Sequence, residues 1–281
     1  MVEASSWVTF GASARGASHV LRHAPNQDAY ACRAGDALAG RVIAAVADGH
    51  GDPLHFRSGE GARFAVEVAV ELLQNVGFDS EAALLPERIV EAWTKRVSAH
   101  LAAHPFTDAD WQVLRDAHRG AAVEEVRGAP SIAYGSTLLA SAATGESVVM
   151  LQIGDGDLLS VLPDGRTTRP LPGDARLHHN MTTSLCGSGA ARDFRMGRIA
   201  APETLPALLV LSTDGYANSF NTDEDFMRVG ADLLGLLRSE GPARVEKKLA
   251  GFLTDASKHG SGDDVTLALL YRDRDRDRAA P

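Results

Sequence analysis

The sequence predicts an α+β fold, with antiparallel strands at its centre and helices attached in pairs. Three observations carry that expectation. The apolar runs at 42–47 and 208–212 do not alternate with polar residues, as expected of strands buried on both faces. Residues 134–162 read as three strands joined by tight turns, which is a meander and not a succession of βαβ units. Helical apolar periodicity marks 58–75 followed by 86–103, and 223–238 followed by 242–258.

Taken in order, residues 7–11 read as a short edge strand. Gly16-Ala17-Ser18-His19 is loop-like, and Pro25-Asn26-Gln27-Asp28 is a turn that opens a strand at 29–33. Residues 35–40 connect as a hairpin into the strand 42–47. The helix at 58–75 takes Ser58 as its N-cap, sets Phe64, Val68 and Leu72 on one face and stops at Gly77. The next helix starts with Pro86 in its first turn and carries the stripe Ile89, Val90, Trp93, Val97, Leu101. A third covers 108–126. Strands follow at 134–142, 148–153 and 158–162, the last as the return partner of the one before it. Residues 167–200 are irregular and polar, with the length of a functional loop. The strand at 208–213, two helices, the loop Gly260-Ser261-Gly262-Asp263-Asp264 and a strand at 265–271 complete one domain, 1–271. The alternating Arg and Asp of 272–278 predict a solvated, disordered tail over 272–281.

At 281 residues, 44% hydrophobic and 23% charged, the chain has the composition of a soluble globular protein. A net charge of -9 without a basic stripe argues against a nucleic-acid surface and favours attraction of cations. Cys32 and Cys186 form no metal-ligand spacing, so free thiols in a reducing compartment are expected. Residues 1–10 lack the basic and apolar regions of a leader, and no apolar run approaches the ~20 residues that span a bilayer. The expected location is cytoplasmic.

The chemistry concentrates where apolar strands stop. Val42 to Ala47 runs into Asp48-Gly49-His50-Gly51-Asp52, Leu208 to Thr213 into Asp214-Gly215, and Val148 to Gly154 into Asp155-Gly156. Three such strands can bring three carboxylates to one rim, with Asp28 at the start of its own strand facing the same way. Clustered carboxylates suit a hard cation such as Mg²⁺ or Mn²⁺. The alternative for each is a hairpin, because Asp-Gly is the commonest hairpin turn. Asp155 fits that alternative, with 158–162 as a return strand; nothing strand-like follows Asp48 or Asp214.

Six pieces now stand in order: Asn26-Gln27-Asp28-Ala29, Val46-Ala47-Asp48-Gly49-His50-Gly51, Gly135-Ser136-Thr137, Ile153-Gly154-Asp155, Leu211-Ser212-Thr213-Asp214-Gly215 and Gly262-Asp263-Asp264-Val265-Thr266. In this the chain resembles the metal-dependent type 2C protein serine/threonine phosphatases over nearly its whole length, and their stand-alone bacterial branch in particular. The resemblance implies a four-layer α-β-β-α sandwich, two antiparallel sheets flanked by helical hairpins, with the site at one edge between the sheets. It implies that Asp48 bridges two Mn²⁺ or Mg²⁺ ions and Gly49 offers its carbonyl. Asp214 and Asp263 would hold one ion, Asp28 would stand close by, and Asp155 with Asp214 would hold a weaker third. A water bridging two metals would attack phosphorus in line, without a phosphoenzyme. His50 would protonate the leaving oxygen, or else act as a partner to a ligand.

The implied partners are a phosphorylated protein and an opposing serine/threonine kinase, for a monomeric enzyme. Two departures from the family pattern stand out. The arginine that often grips the phosphate has no counterpart in register: the position is His23, and Arg22 is one residue off, leaving Arg22, His23 and His19 as candidates. Gln27 replaces a common glutamate, and Asp264 a common asparagine. The rival readings are a phosphatase-fold regulatory binding module, catalytically weak or inactive, and a hydrolase of small phosphoesters. His178, His179 and Asn180 read as surface residues of a mobile flap, Cys186 as a packed small residue, and Trp7, Trp93 and Trp111 as core.

Overall fold

A computed structural model of the chain describes residues 7–34, 40–78, 80–118, 121–176 and 182–272. Its strands are β1 (Trp7–Ala14), β2 (Ala29–Ala34), β3 (Val42–Ala47), β4 (Leu138–Ala143), β5 (Val148–Ile153), β6 (Asp157–Val161), β7 (Thr167–Thr168), β8 (Arg195–Ile199), β9 (Leu208–Ser212) and β10 (Val265–Arg272). Its helices are α1 (Ala17–Leu21), α2 (Ser58–Asn75), α3 (Leu85–Ala103), α4 (Asp108–His118), α5 (Ala121–Gly128), α6 (Ala190–Asp193), α7 (Asp214–Ala217), α8 (Asp223–Glu240) and α9 (Pro242–His259). The strands form two antiparallel sheets, ordered β1-β10-β9-β6-β7 and β2-β3-β4-β5-β8.

The non-alternating strands explain the layering. Side chains of a strand point alternately to its two faces, so a strand apolar throughout needs a partner on each. In β3, Val42, Ala44 and Val46 enter the layer between the sheets, together with Leu139, Met150, Leu209, Leu211 and Leu270. Ile43, Ala45 and Ala47 face the other way, onto Ala65, Val68, Ala69 and Leu73 of α2. The first sheet does the same: Leu208 and Val210 of β9 and Leu267 and Leu269 of β10 pack on Phe226, Leu233, Val245 and Leu249 of α8 and α9. Three apolar layers therefore lie between four layers of secondary structure, the architecture implied by the resemblance. Trp93 of α3 is fully buried and donates its indole N–H to the Gly61 carbonyl of α2, 2.9 Å away, which locks the first helix pair.

Several expectations are corrected. Residues 148–162 are not a hairpin. β5 pairs with β4 and β8, whereas β6 lies in the opposite sheet against β9, with Leu158 opposite Leu211. Strand, Asp-Gly, strand is the same local pattern in both cases; β6 turns Leu158 into the layer between the sheets and Leu159 and Val161 onto α8. Residues 17–21 form a helix where a loop was expected, anchored by the Ser18 N–H on the Gly262 carbonyl. Ser58 is not an N-cap: it is buried inside the first turn, and its hydroxyl accepts from the Gln27 side-chain amide. The helix expected at 108–126 is two, α4 and α5. The irregular stretch 167–200 contains β7, α6 and the edge strand β8. His178, His179 and Asn180, most of the 35–40 connection, and the tail from 273 lie outside the described residues.

Candidate metal centre

The end of β3 is fixed by backbone contacts on both sides. The Asp48 N–H donates to Thr137 Oγ1 at 3.0 Å, and the Thr137 N–H donates to the Asp48 carbonyl at 2.9 Å. Gly49 bridges to Ser136, and its N–H donates to the Gln27 carbonyl at 3.2 Å. A Cβ on Gly49 would lie 2.7 Å from the Ser58 backbone and 2.8 Å from the Gln27 carbonyl, so no larger residue fits. The crossing strip Gly135-Ser136-Thr137 thus acts as a clamp on the Asp48 loop.

Asp28 is reached from the other sheet. Thr213 Oγ1 donates to Asp28 Oδ2 at 2.7 Å and accepts from the Thr266 N–H at 3.0 Å. Thr266 Oγ1 bonds Ser13 Oγ, which also receives the Asn26 amide, and Asn26 Oδ1 accepts from the Asp28 N–H. Asp214 opens the short helix α7 just beyond β9. The Asp48 carboxyl hydrogen-bonds the carboxyls of both Asp28 and Asp214. Burial first, and neighbouring carboxylates second, push Asp28 up to about 7, Asp214 up to about 6 and Asp48 well above its ordinary value. A buried acid set against two others requires protons or cations between them.

Asp155 and Asp263 stand farther out. With Asp48, Asp214, His50 and His55 they line a cavity of about 490 Å³. A second cavity of about 290 Å³ shares Asp48, Gly51 and Asp263 with the first and adds His19, Arg22 and Gln27. Asp155 sits where the chain passes between sheets; Arg195 donates to the Gly154 carbonyl beside it at 2.7 Å, and Thr183 Oγ1 accepts from the Gly154 N–H. His50 meets His55 edge to face, with ring centroids 4.8 Å apart. Burial, and then His55, lower its pKa to about 4.

The structure gathers Asp28, Asp48, Gly49, Asp155, Asp214, Asp263 and His50 at one edge between the sheets. Arg22 lines the second cavity, and its guanidinium bonds the Ser18 carbonyl and hydroxyl. His19 is buried and turned towards Asp263 and Asp264, while His23, at φ 58°, lines neither cavity. The donor set, carboxylates and a main-chain carbonyl, fits a hard divalent cation and not a soft one. Among the described residues no three His, Cys, Asp or Glu side chains stand around a common centre. Burial pushes both thiols up, Cys32 to about 11, as suits packed residues. Among the described residues no helix is long and apolar enough to cross a membrane.

Sequence reasoning missed Thr137, Thr213, Thr266, His55 and Arg195. The three threonines were visible beside the aspartates, but the partners that give them roles lie 53 to 185 residues away.

The sequence model described as Protein phosphatase 2C matches residues 15–254. No curated protein sequence matches the chain. Among solved structures, the S. agalactiae serine/threonine phosphatase is 20% identical, with a TM-score of 0.57 over 94% of this chain and 99% of that one. The Mycobacterium tuberculosis serine/threonine phosphatase PstP/Ppp is 18% identical, with a TM-score of 0.59 over 94% and 98%. The catalytic domain of PstP in complex with two manganese ions is similar at 18% identity, with a TM-score of 0.59 over 94% and 97%. At these identities the structural likeness speaks for the fold.

Proposed function

The chain belongs to the protein phosphatase 2C family, and from that membership we propose that it hydrolyses phosphoserine and phosphothreonine in proteins, using two divalent cations held between its inner and outer carboxylates. The observation that carries this reading is the contact of Asp48 with both Asp28 and Asp214, three acids from separate elements, with Asp48 and Asp214 lining one cavity. Bound there, two Mn²⁺ or Mg²⁺ ions would lower the pKa of a shared water and screen the phosphate charge. The complex of PstP with two manganese ions supports that choice of metal.

Asp48 would bridge the ions, with Gly49 offering its carbonyl, Asp214 and Asp263 holding one ion and Asp28 set beside them through Thr213. Asp155 with Asp214 would serve a weaker third. His50 faces the same cavity and is placed to serve the leaving serine or threonine oxygen. Held neutral above about pH 4, it donates a hydrogen bond there, and full proton transfer falls to a protonated minority. Arg22 is the candidate for the substrate phosphate: it lines the adjoining cavity, whereas His19 is engaged by Asp263 and Asp264. The substrate is a phosphorylated protein, the enzyme counters the serine/threonine kinase that phosphorylates it, and it acts as a cytoplasmic monomer.

The test is hydrolysis of a phosphothreonine peptide by purified protein with Mn²⁺, with Mg²⁺ and with chelator. Metal-dependent release that disappears in Asp214→Asn is expected. Binding of Mn²⁺ without any turnover would turn the reading to a regulatory module, and preference for a small phosphoester over the peptide would turn it to a general phosphoesterase.

A further inference from the structure

Asp264 is an acid that the proposed metal set does not use. Its side chain is 4% exposed, and both of its oxygens face hydrogen-bond donors. Oδ1 accepts from the Gly16 N–H at 2.6 Å, and Oδ2 accepts from the Gln27 N–H at 2.7 Å. Nδ1 of His19 lies 3.0 Å from Oδ2 and 3.2 Å from the Pro25 carbonyl; both are acceptors, so Nδ1 carries a proton. One buried carboxylate therefore closes the segment 16–27 onto the loop before β10.

The contacts run on into the proposed centre. The Asp264 N–H donates to Asp263 Oδ1 at 2.9 Å, and Nε2 of His19 lies 3.4 Å from that same oxygen. Gln27, held by its amide, presents the carbonyl that receives Gly49 and precedes Asp28. Gly16 comes so close that a Cβ would stand 2.6 Å from the Asp263 carbonyl carbon and 2.7 Å from the Asp264 nitrogen. The helix α1 that follows Gly16 brings Ser18, His19 and Arg22 to the second cavity.

We propose that Asp264, acting through His19 and the amides of Gly16 and Gln27, is a positioning residue that sets Asp263 for the metal and Arg22 for the substrate at once. The inference rests on the metal-dependent phosphatase reading. A carboxylate accepts at both oxygens, whereas asparagine turns an N–H towards one of the two amides and leaves it unsatisfied. Asp264→Asn therefore breaks the clasp with little change of shape.

The experiment is calorimetric titration of Mn²⁺ into wild type, Asp264→Asn, His19→Asn and His19→Gln, with KM and kcat on a phosphothreonine peptide at saturating Mn²⁺. Asp264→Asn should weaken Mn²⁺ binding at least tenfold and raise KM, with a much smaller fall in kcat. His19→Asn keeps a donor near Nδ1 and should hold most of the affinity; His19→Gln moves the donor away and should follow Asp264→Asn. Wild-type uptake of Mn²⁺ matched by Asp264→Asn, or by His19→Gln should Asp264→Asn fail to fold, overturns the clasp. A wild-type protein that takes up no Mn²⁺ overturns the metal reading on which it stands.

Discussion

The inner and outer aspartates of the centre are the same residue type in opposite settings. Asp48 is in contact with both Asp28 and Asp214, and burial pushes all three upwards. Asp263 keeps 53% of its side chain exposed and is steered by His19 and its own neighbour's amide. Asp155 lies on the passage between sheets, next to a carbonyl held by Arg195. The inner group is buried and held in its neutral form until a cation takes the place of its protons. The outer pair stands farther out, and Asp263 is open to solvent.

The sharpest way to break that comparison is to neutralise one member of each set. Asp48→Asn should reduce kcat/KM by on the order of 10³-fold, the scale of removing a group on which transition-state charge depends. Asp155→Asn should cost only a few-fold on the same phosphopeptide, and equal losses would erase the distinction. His50→Ala should come next, at roughly 10²-fold, the lower end of what a placed acid contributes. Steady-state rates at fixed, saturating Mn²⁺ measure all three.

The smallest effect concerns stability without metal. Asp28 and Asp214 rise in the folded chain to about 7 and about 6 from an ordinary 3.8. Between the ordinary and the raised values the folded state binds more protons than the unfolded one. Their contribution is therefore fully present below about pH 4 and is lost as pH rises through 6 and 7. In chelator, the melting temperature of wild type should fall relative to that of Asp28→Asn between pH 5 and pH 8. Parallel curves would mean that burial does not raise Asp28 as described. Added Mn²⁺ should remove the difference, because binding to the folded state restores its stability.

Much of this centre was legible in the sequence, because a strand apolar on both faces that stops at Asp-Gly is a local signal. Asp48 and Asp214 show it, and Ser58–Asn75 is found to the residue from its periodicity. The passage at Asp155 was not legible: a hairpin and a change of sheet share the same five or six residues of pattern, and only the distant pairing of β6 with β9 separates them. Helix α1 was equally hidden, since its five residues are held by Gly262 and Ser257 and not by intrinsic preference. Asp264 looked like one more acid in a loop until its donors, from residues 16, 19 and 27, were in place.

The pairing of β1 with β10 has a consequence for biosynthesis. The first strand described has as its neighbour the last, Trp7 opposite Arg272, and β10 lies inside its sheet between β1 and β9. A ribosome delivers residues 263–272 after every other element described here. Until they emerge, β1 and β9 have an unfilled slot between them, and Asp28 lacks the Thr213–Thr266 link behind it. Such long-range closure is slow to form. Until residues 263–272 have been made, a nascent chain therefore lacks both Asp263 and the Thr266 link on which the proposed centre depends.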